Sequence, residues 1–172
     1  MLGDHVYVST TEARCARQLT EAFARHRASI SAVARTPEDQ LSLFGTIGGE
    51  RVEGDARVFR VDHIKEKPHP EYAREHLRVP GLPEGEYLTW FGQHLFTPGI
   101  FDALKHRIDH DLREKGEIQL TSAQEMLRQE EGTYYAYETE GERYDIGVPA
   151  EYVRTMANLS RPPLSGADAE PI

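Results

Sequence analysis

With a single cysteine, Cys15, the chain can form no internal disulfide and no Cys-rich metal cluster. It also lacks any apolar run near the roughly 18 residues that a membrane-spanning helix needs. Met1–Tyr7 is no secretion signal, because Asp4 and His5 interrupt it at once. These absences point to a cytoplasmic setting. Positive charge is short too: 20 Lys and Arg stand against 29 Asp and Glu, a net charge of −9. Such a chain has no general attraction for polyanions, so neither a nucleic-acid nor a membrane partner is expected. What is present is ordinary: 38% hydrophobic and 28% charged residues, 14 Gly and 10 Pro, which excludes collagen, a long coiled coil and global disorder. One globular domain of this size buries roughly 70% of the surface of its extended chain.

The pattern along the chain alternates strand and helix. Leu2 to Val8 reads as a strand, with Gly3 and Asp4 inside it, of the kind that lies in the middle of a sheet. Glu12 to His26 carries Ala16, Leu19, Ala22 and Phe23 on one helical face, and Ala28 to Ala34 reads as a second strand. This strand–helix–strand order favours an α/β layer over a helical bundle. Pro37 to Leu43 suits a short helix, Gly48-Gly49 and Glu53-Gly54-Asp55 read as turns, and Val58 to Lys65 alternates as a strand ended by Pro68. Tyr87 to Phe96 reads as a strand broken near Gly92. Thr97-Pro98 offers a capping hydroxyl and a first-turn proline for the next helix. A further helix ends near Gly132, two strands flank a Gly-containing turn around Gly141, and Pro149 opens a last helix to Leu159. Residues 1–159 thus form the domain, and 160–172, rich in Pro, form a loose tail.

Three spots carry candidate chemistry: Asp4 after a glycine, Glu66-Lys67 at a strand end before Pro68, and Asp145 before Gly147. Taken singly, each is a common turn or strand-edge residue. In α/β sheets, however, ligands gather at strand ends, and two carboxylates brought together there call for a cation. Mg²⁺ suits hard oxygen donors and keeps part of its water shell. His106 and His110 form one i,i+4 pair without a third ligand, which does not make a zinc site.

Seven short words occur in order: Leu2-Gly3-Asp4, Phe44-Gly45-Thr46-Ile47, Glu66-Lys67-Pro68, Phe91-Gly92, Leu95-Phe96-Thr97-Pro98-Gly99-Ile100-Phe101, Gly116-Glu117-Ile118-Gln119-Leu120-Thr121 and Tyr144-Asp145-Ile146-Gly147. In order and spacing they resemble bacterial UTP–glucose-1-phosphate uridylyltransferases, from the start of the chain to about Leu159. The resemblance implies transfer of a nucleotidyl group from UTP to glucose 1-phosphate, giving UDP-glucose and pyrophosphate. It implies Asp4 and Asp145 as Mg²⁺ ligands, with Lys67 contacting the sugar phosphate. It further implies Gly45 and Glu66 at the sugar, Gly92 in the loop beneath the hexose, and the Gly116–Thr121 word beside the sugar site.

The family's Gly-rich loop with its Arg and later Lys has no counterpart word here, His5 stands where a second Asp is common, and Ser122 where Asp is common. The resemblance therefore implies a C-terminal half only. That is an α/β, partial nucleotide-diphospho-sugar transferase fold, a Rossmann-like mixed sheet flanked by helices, lacking the N-terminal nucleotide-binding part. Such a fragment would be impaired by itself. It would bind glucose 1-phosphate or UDP-glucose and associate as a homo-oligomer or with a separate N-terminal half. The alternatives are another hexose-1-phosphate nucleotidyltransferase and a non-catalytic sugar-phosphate-binding or assembly subunit.

Overall fold

The computed structural model describes residues 3–114, 116–147 and 149–160. Leu2, and the expected tail beyond Ser160, lie outside the described residues. The elements are β1 (His5–Ser9), α1 (Cys15–His26), β2 (Ile30–Pro37), a 3-10 helix (Glu38–Leu43), β3 (Thr46–Arg51), β4 (Val58–Lys65), α2 (Pro70–His76), β5 (Glu86–Leu95), α3 (Gly99–Asp109), α4 (Leu120–Glu131), β6 (Tyr135–Glu138), β7 (Gly141–Asp145) and α5 (Pro149–Leu159).

The main sheet has the order β2-β5-β3-β4-β6, and β6 returns to pair with β2, so the ring of pairings closes. The sheet is mixed: β2–β6 is its parallel pair and the others are antiparallel. An α/β fold with a mixed sheet and flanking helices is therefore what forms, but closed rather than open at its edges, because β6 bonds both β2 and β4. Helix α1 buries Cys15, Leu19 and Ala22 against Ile30, Ala32, Val58 and Phe91. A second core packs Ile100 and Ala103 of α3 and Ala123 and Leu127 of α4 on Val33, Ile47, Phe59, Leu88 and Tyr134. Period-2 alternation in the strands feeds these two layers, and helical spacing in α1, α3 and α4 meets them.

Three local expectations change. The first strand does not run inside the sheet: β1 pairs with β7 alone, as a two-stranded ribbon. Gly48 and Gly49 lie within β3, at a register shift against β4, and the hairpin turns instead at Gly54. Thr97 does not cap α3 with its hydroxyl, which is drawn to Ser29 and Glu131; its carbonyl accepts the Ile100 N–H instead. Among the described residues no helix is long and apolar enough to cross a membrane.

The second core encloses a polar knot. Ser31 and Tyr134 share a 2.6 Å hydrogen bond, and the Gln124 amide donates to Tyr134 and to His94 Nδ1 at 3.0 and 3.1 Å. His94 keeps some surface in contact with solvent, but its ring is packed between Trp90 and Phe96. Desolvation pulls its pKa down to about 3. The folded state thus holds His94 neutral while the unfolded chain titrates near 6.5. This contribution to stability is complete above about pH 6.5 and is lost as pH falls toward 3, by at most about 1.4 kcal/mol per pH unit. Denaturant midpoints measured from pH 7 to 4 should fall accordingly, and His94→Gln should flatten the slope. An unchanged slope in that variant would contradict the assignment.

Candidate active site

The ribbon brings the two sequence-predicted aspartates together. In its antiparallel register His5 opposes Asp145 and Tyr7 opposes Arg143, so these four share one face. Asp4 sits in the turn before β1, and its carbonyl accepts the Ile146 N–H at 2.8 Å, tying that turn to the chain just past Asp145. His5 Nδ1 lies 2.9 Å from Asp4 Oδ1, and His5 Nε2 4.0 Å from Asp145 Oδ2. One potential ligand atom from each of the three falls within 4.8 Å of the others. A Cβ on Gly147 would stand 2.8 Å from Asp4 Oδ2 and 3.2 Å from Asp145 Oδ1, so a side chain there would crowd both carboxylates. The hydrogen bond from His5 holds the Asp4 carboxyl below the usual carboxylate range. Two accessible carboxylates fit a hard divalent cation that retains water; the imidazole, already bonded to Asp4, acts as the group that orients it.

The barrel supplies a second corner. Gly45 lies just before β3, and its carbonyl accepts the Trp90 N–H at 2.8 Å. Trp90 is in the core, and its indole edge presses on Gly45: a Cβ there would lie 2.7 Å from Trp90 Nε1 and 3.0 Å from Glu66 Oε2. Glu66, at the end of β4, accepts a 2.6 Å hydrogen bond from the Thr121 hydroxyl in the first turn of α4. Lys67 has a left-handed backbone, φ 43°, immediately before Pro68, and its N–H reaches the Phe44 carbonyl at 3.2 Å. A non-glycine residue held in that region beside a proline is strained, which is common at ligand-contacting positions. Its Nζ stays partly exposed, 3.7 Å from Glu66 Oε1. The corner therefore presents a carboxylate, a cation and a bare backbone, a set that can meet hydroxyls and a phosphate.

Gly92 is placed differently from the expectation. It lies within β5, not in a loop, at φ 95° where the pairing with β2 shifts register. An L side chain is disfavoured at that φ, so the bulge depends on glycine. Its carbonyl accepts the Tyr7 hydroxyl at 3.1 Å, which docks the ribbon on the barrel. Arg143 adds a second tether: its guanidinium donates to the Trp90 carbonyl at 2.5 Å and stacks on Phe44 at 4.0 Å. Neither contact was read from the sequence. The available signal was the i,i+2 spacing of Arg143 and Asp145 on one strand. Thr121 was legible only as part of its word, not as the donor to Glu66.

The paired carboxylates thus stand on a strand ribbon docked against a mixed-sheet α/β barrel that carries the glycine, glutamate and lysine corner. The family model for Nucleotidyl transferase matches residues 1–161. The chain belongs to that family. It is 29% identical over 153 residues to UTP–glucose-1-phosphate uridylyltransferase of Pseudomonas aeruginosa, covering 89% of this chain and 49% of that protein. It is 31% identical over 164 residues to UTP–glucose-1-phosphate uridylyltransferase 1 of Streptococcus pyogenes, covering 93% and 48%. Its fold is similar to the crystal structure of apo UDP-glucose pyrophosphorylase, with TM-score 0.73, 24% identity and coverage of 92% of this chain and 52% of that one. The structure complexed with UDP-glucose gives TM-score 0.71, 23% identity, 94% and 55%. The chain spans about half the length of the curated relatives it matches.

The match from residue 1 to 161 overturns one expectation. The chain is not to be read as a C-terminal half whose nucleotide-binding part is missing, because what it matches is the nucleotidyl transferase region itself. That expectation rests on the missing counterparts of the Gly-rich loop, its Arg and the later Lys. A match sustained over residues 1–161 outweighs the absence of those local signals.

Proposed function

We propose that this protein transfers a uridylyl group from UTP to glucose 1-phosphate, forming UDP-glucose and pyrophosphate. The observation that carries the reading is the meeting of Asp4 and Asp145 on a ribbon tethered to Gly92, Trp90 and Phe44, the last two bonded through their backbones to Gly45 and Lys67. The names borne by the relatives supply the substrates. In this reading Glu66, held by Thr121, accepts sugar hydroxyls, while Gly45 lets the hexose approach the backbone. Lys67 faces the sugar phosphate as a compact cation. Asp4 and Asp145 hold Mg²⁺, which when bound offsets charge on the transferring phosphoryl group. The rest is positioning of the sugar phosphate in line with the phosphorus it attacks.

The test mixes UTP, glucose 1-phosphate and Mg²⁺ with the protein and follows pyrophosphate. Release that stops on chelation with EDTA is expected; no release, together with no UDP-glucose binding by calorimetry, would overturn the reading. Glu66→Gln should weaken glucose 1-phosphate binding by about tenfold, the loss of one charge-assisted hydrogen bond. Its affinity for Mg²⁺ should be unchanged. Self-association belongs to the same proposal, since Phe101 and Ile108 on α3 and Val153 and Met156 on α5 are exposed large apolar groups suited to a subunit contact. Sedimentation should show a species larger than the monomer.

A further inference from the structure

Arg143 of β7 is a half-buried cation on the face that carries Asp145. Arg143 sits mid-way along β7, partly buried, and burial lowers its pKa. Its contacts are a neutral carbonyl and a phenyl ring; among the described residues no carboxylate forms an ion pair with it. Its counter-charge is Asp145, which favours the charged guanidinium without a direct ion pair, and a partly desolvated cation so weakly compensated is commonly no more stable than an apolar residue of similar size. An arginine here needs another reason.

The geometry points to that reason: we propose that Arg143 is a positioning residue that couples the carboxylate pair on the ribbon to the sugar-phosphate corner of the barrel. This rests on the transferase reading above. One end of the coupling is short, because Asp145 lies two residues along the same face of β7 and His5, bonded to Asp4, opposes it. The other end runs through the guanidinium. It stacks on Phe44, whose carbonyl accepts the Lys67 N–H, and it donates to the carbonyl of Trp90, whose N–H is bonded to Gly45. Cross-strand from it, Tyr7 reaches Gly92, so one residue pair of the ribbon grips β5 at two carbonyls. The planar guanidinium can stack and donate at once, which neither Lys nor Met can do. A shift of the Asp145 strand is thereby passed to the backbone that sets Gly45 and Lys67. Binding of a cation at one end should favour binding of a sugar phosphate at the other, and by linkage the sugar phosphate should favour the cation by the same factor.

Calorimetry of UDP-glucose with and without Mg²⁺ tests this. The full chain should bind UDP-glucose at least tenfold more tightly with Mg²⁺. In Arg143→Met the metal-free affinity should fall less than threefold while the Mg²⁺ enhancement drops below twofold. Arg143→Lys, which keeps the charge but not the stacked fork, should behave like Arg143→Met. Phe44→Leu removes the same coupling from the barrel side, and the double variant Arg143→Met, Phe44→Leu should lose nothing further. Phe44→Leu also answers the question should Arg143→Met not fold, as judged by its melting curve. A full tenfold enhancement in folded Arg143→Met or Phe44→Leu, or restoration by Arg143→Lys, would overturn the coupling role alone. A wild-type chain that binds UDP-glucose equally with and without Mg²⁺ would overturn it as well. A wild-type chain that binds no UDP-glucose at all would remove the transferase reading and the inference with it.

Discussion

Replacing Asp145 by Asn is expected to lower Mg²⁺-dependent nucleotidyl transfer by at least about 100-fold, because one of the two carboxylates proposed to hold the cation is gone. The change is nearly isosteric. Asp145 Oδ1 accepts the Gly147 N–H at 2.9 Å, and the amide oxygen of Asn can keep that bond. Asp4 and Asp145 also repel one another across the small space beside Gly147, so the variant should melt at the same temperature or slightly higher without metal. Loss of turnover with no loss of stability is the signature sought. Pyrophosphate release and thermal melting in EDTA measure the two halves. Undiminished turnover at low Mg²⁺ would exclude Asp145 as a ligand.

Gly45→Ala should damage both the fold and the sugar-phosphate corner. Its Cβ would overlap the indole of Trp90 and stand 3.0 Å from Glu66 Oε2. Trp90 is only 7% exposed and its indole is packed against the rings of His94 and Tyr134, so it cannot swing aside freely. Overpacking of this kind costs about 1–3 kcal/mol. Displacement of Glu66 would add a loss of sugar-phosphate affinity of tenfold or more, since orientation of that carboxylate is what the Thr121 bond maintains. Trp90 is the sole tryptophan of the chain, so its fluorescence reports the shift directly. Melting, fluorescence and glucose 1-phosphate calorimetry should all change together. A Gly45→Ala protein with wild-type melting and an unaltered emission maximum would show that the contact is not tight.

The outcome for the individual residues shows what pattern reading can reach. Val58 to Lys65 was recognisable because apolar and polar residues alternate there, and that period belongs to a half-buried strand wherever it lies. The helix expected over Glu12 to His26 followed from its single apolar face, and it forms over Cys15–His26. By contrast Gly48-Gly49, a turn signal in isolation, lies in β3 because β4 pairs with it across a register shift. Gly92 was visible as a break, but whether the break is a loop or a bulge depends on β2 opposite it. Asp4 and Asp145 were singled out as candidates, and their approach needed the β1–β7 register.

From the order of residues alone came the alternation of strands and helices, the acidic and nearly cysteine-free character, and the words that mark Asp4, Gly45, Glu66, Lys67 and Asp145. These depend on neighbours a few positions apart, which the backbone geometry of a strand or helix converts directly into a face. The closure of the sheet through β6, the separation of β1 and β7 into a ribbon, and the contacts of Arg143, Trp90 and Thr121 were decided by tertiary structure. Each joins residues tens of positions apart, and such pairings follow from which surfaces are buried together, a quantity no local period contains.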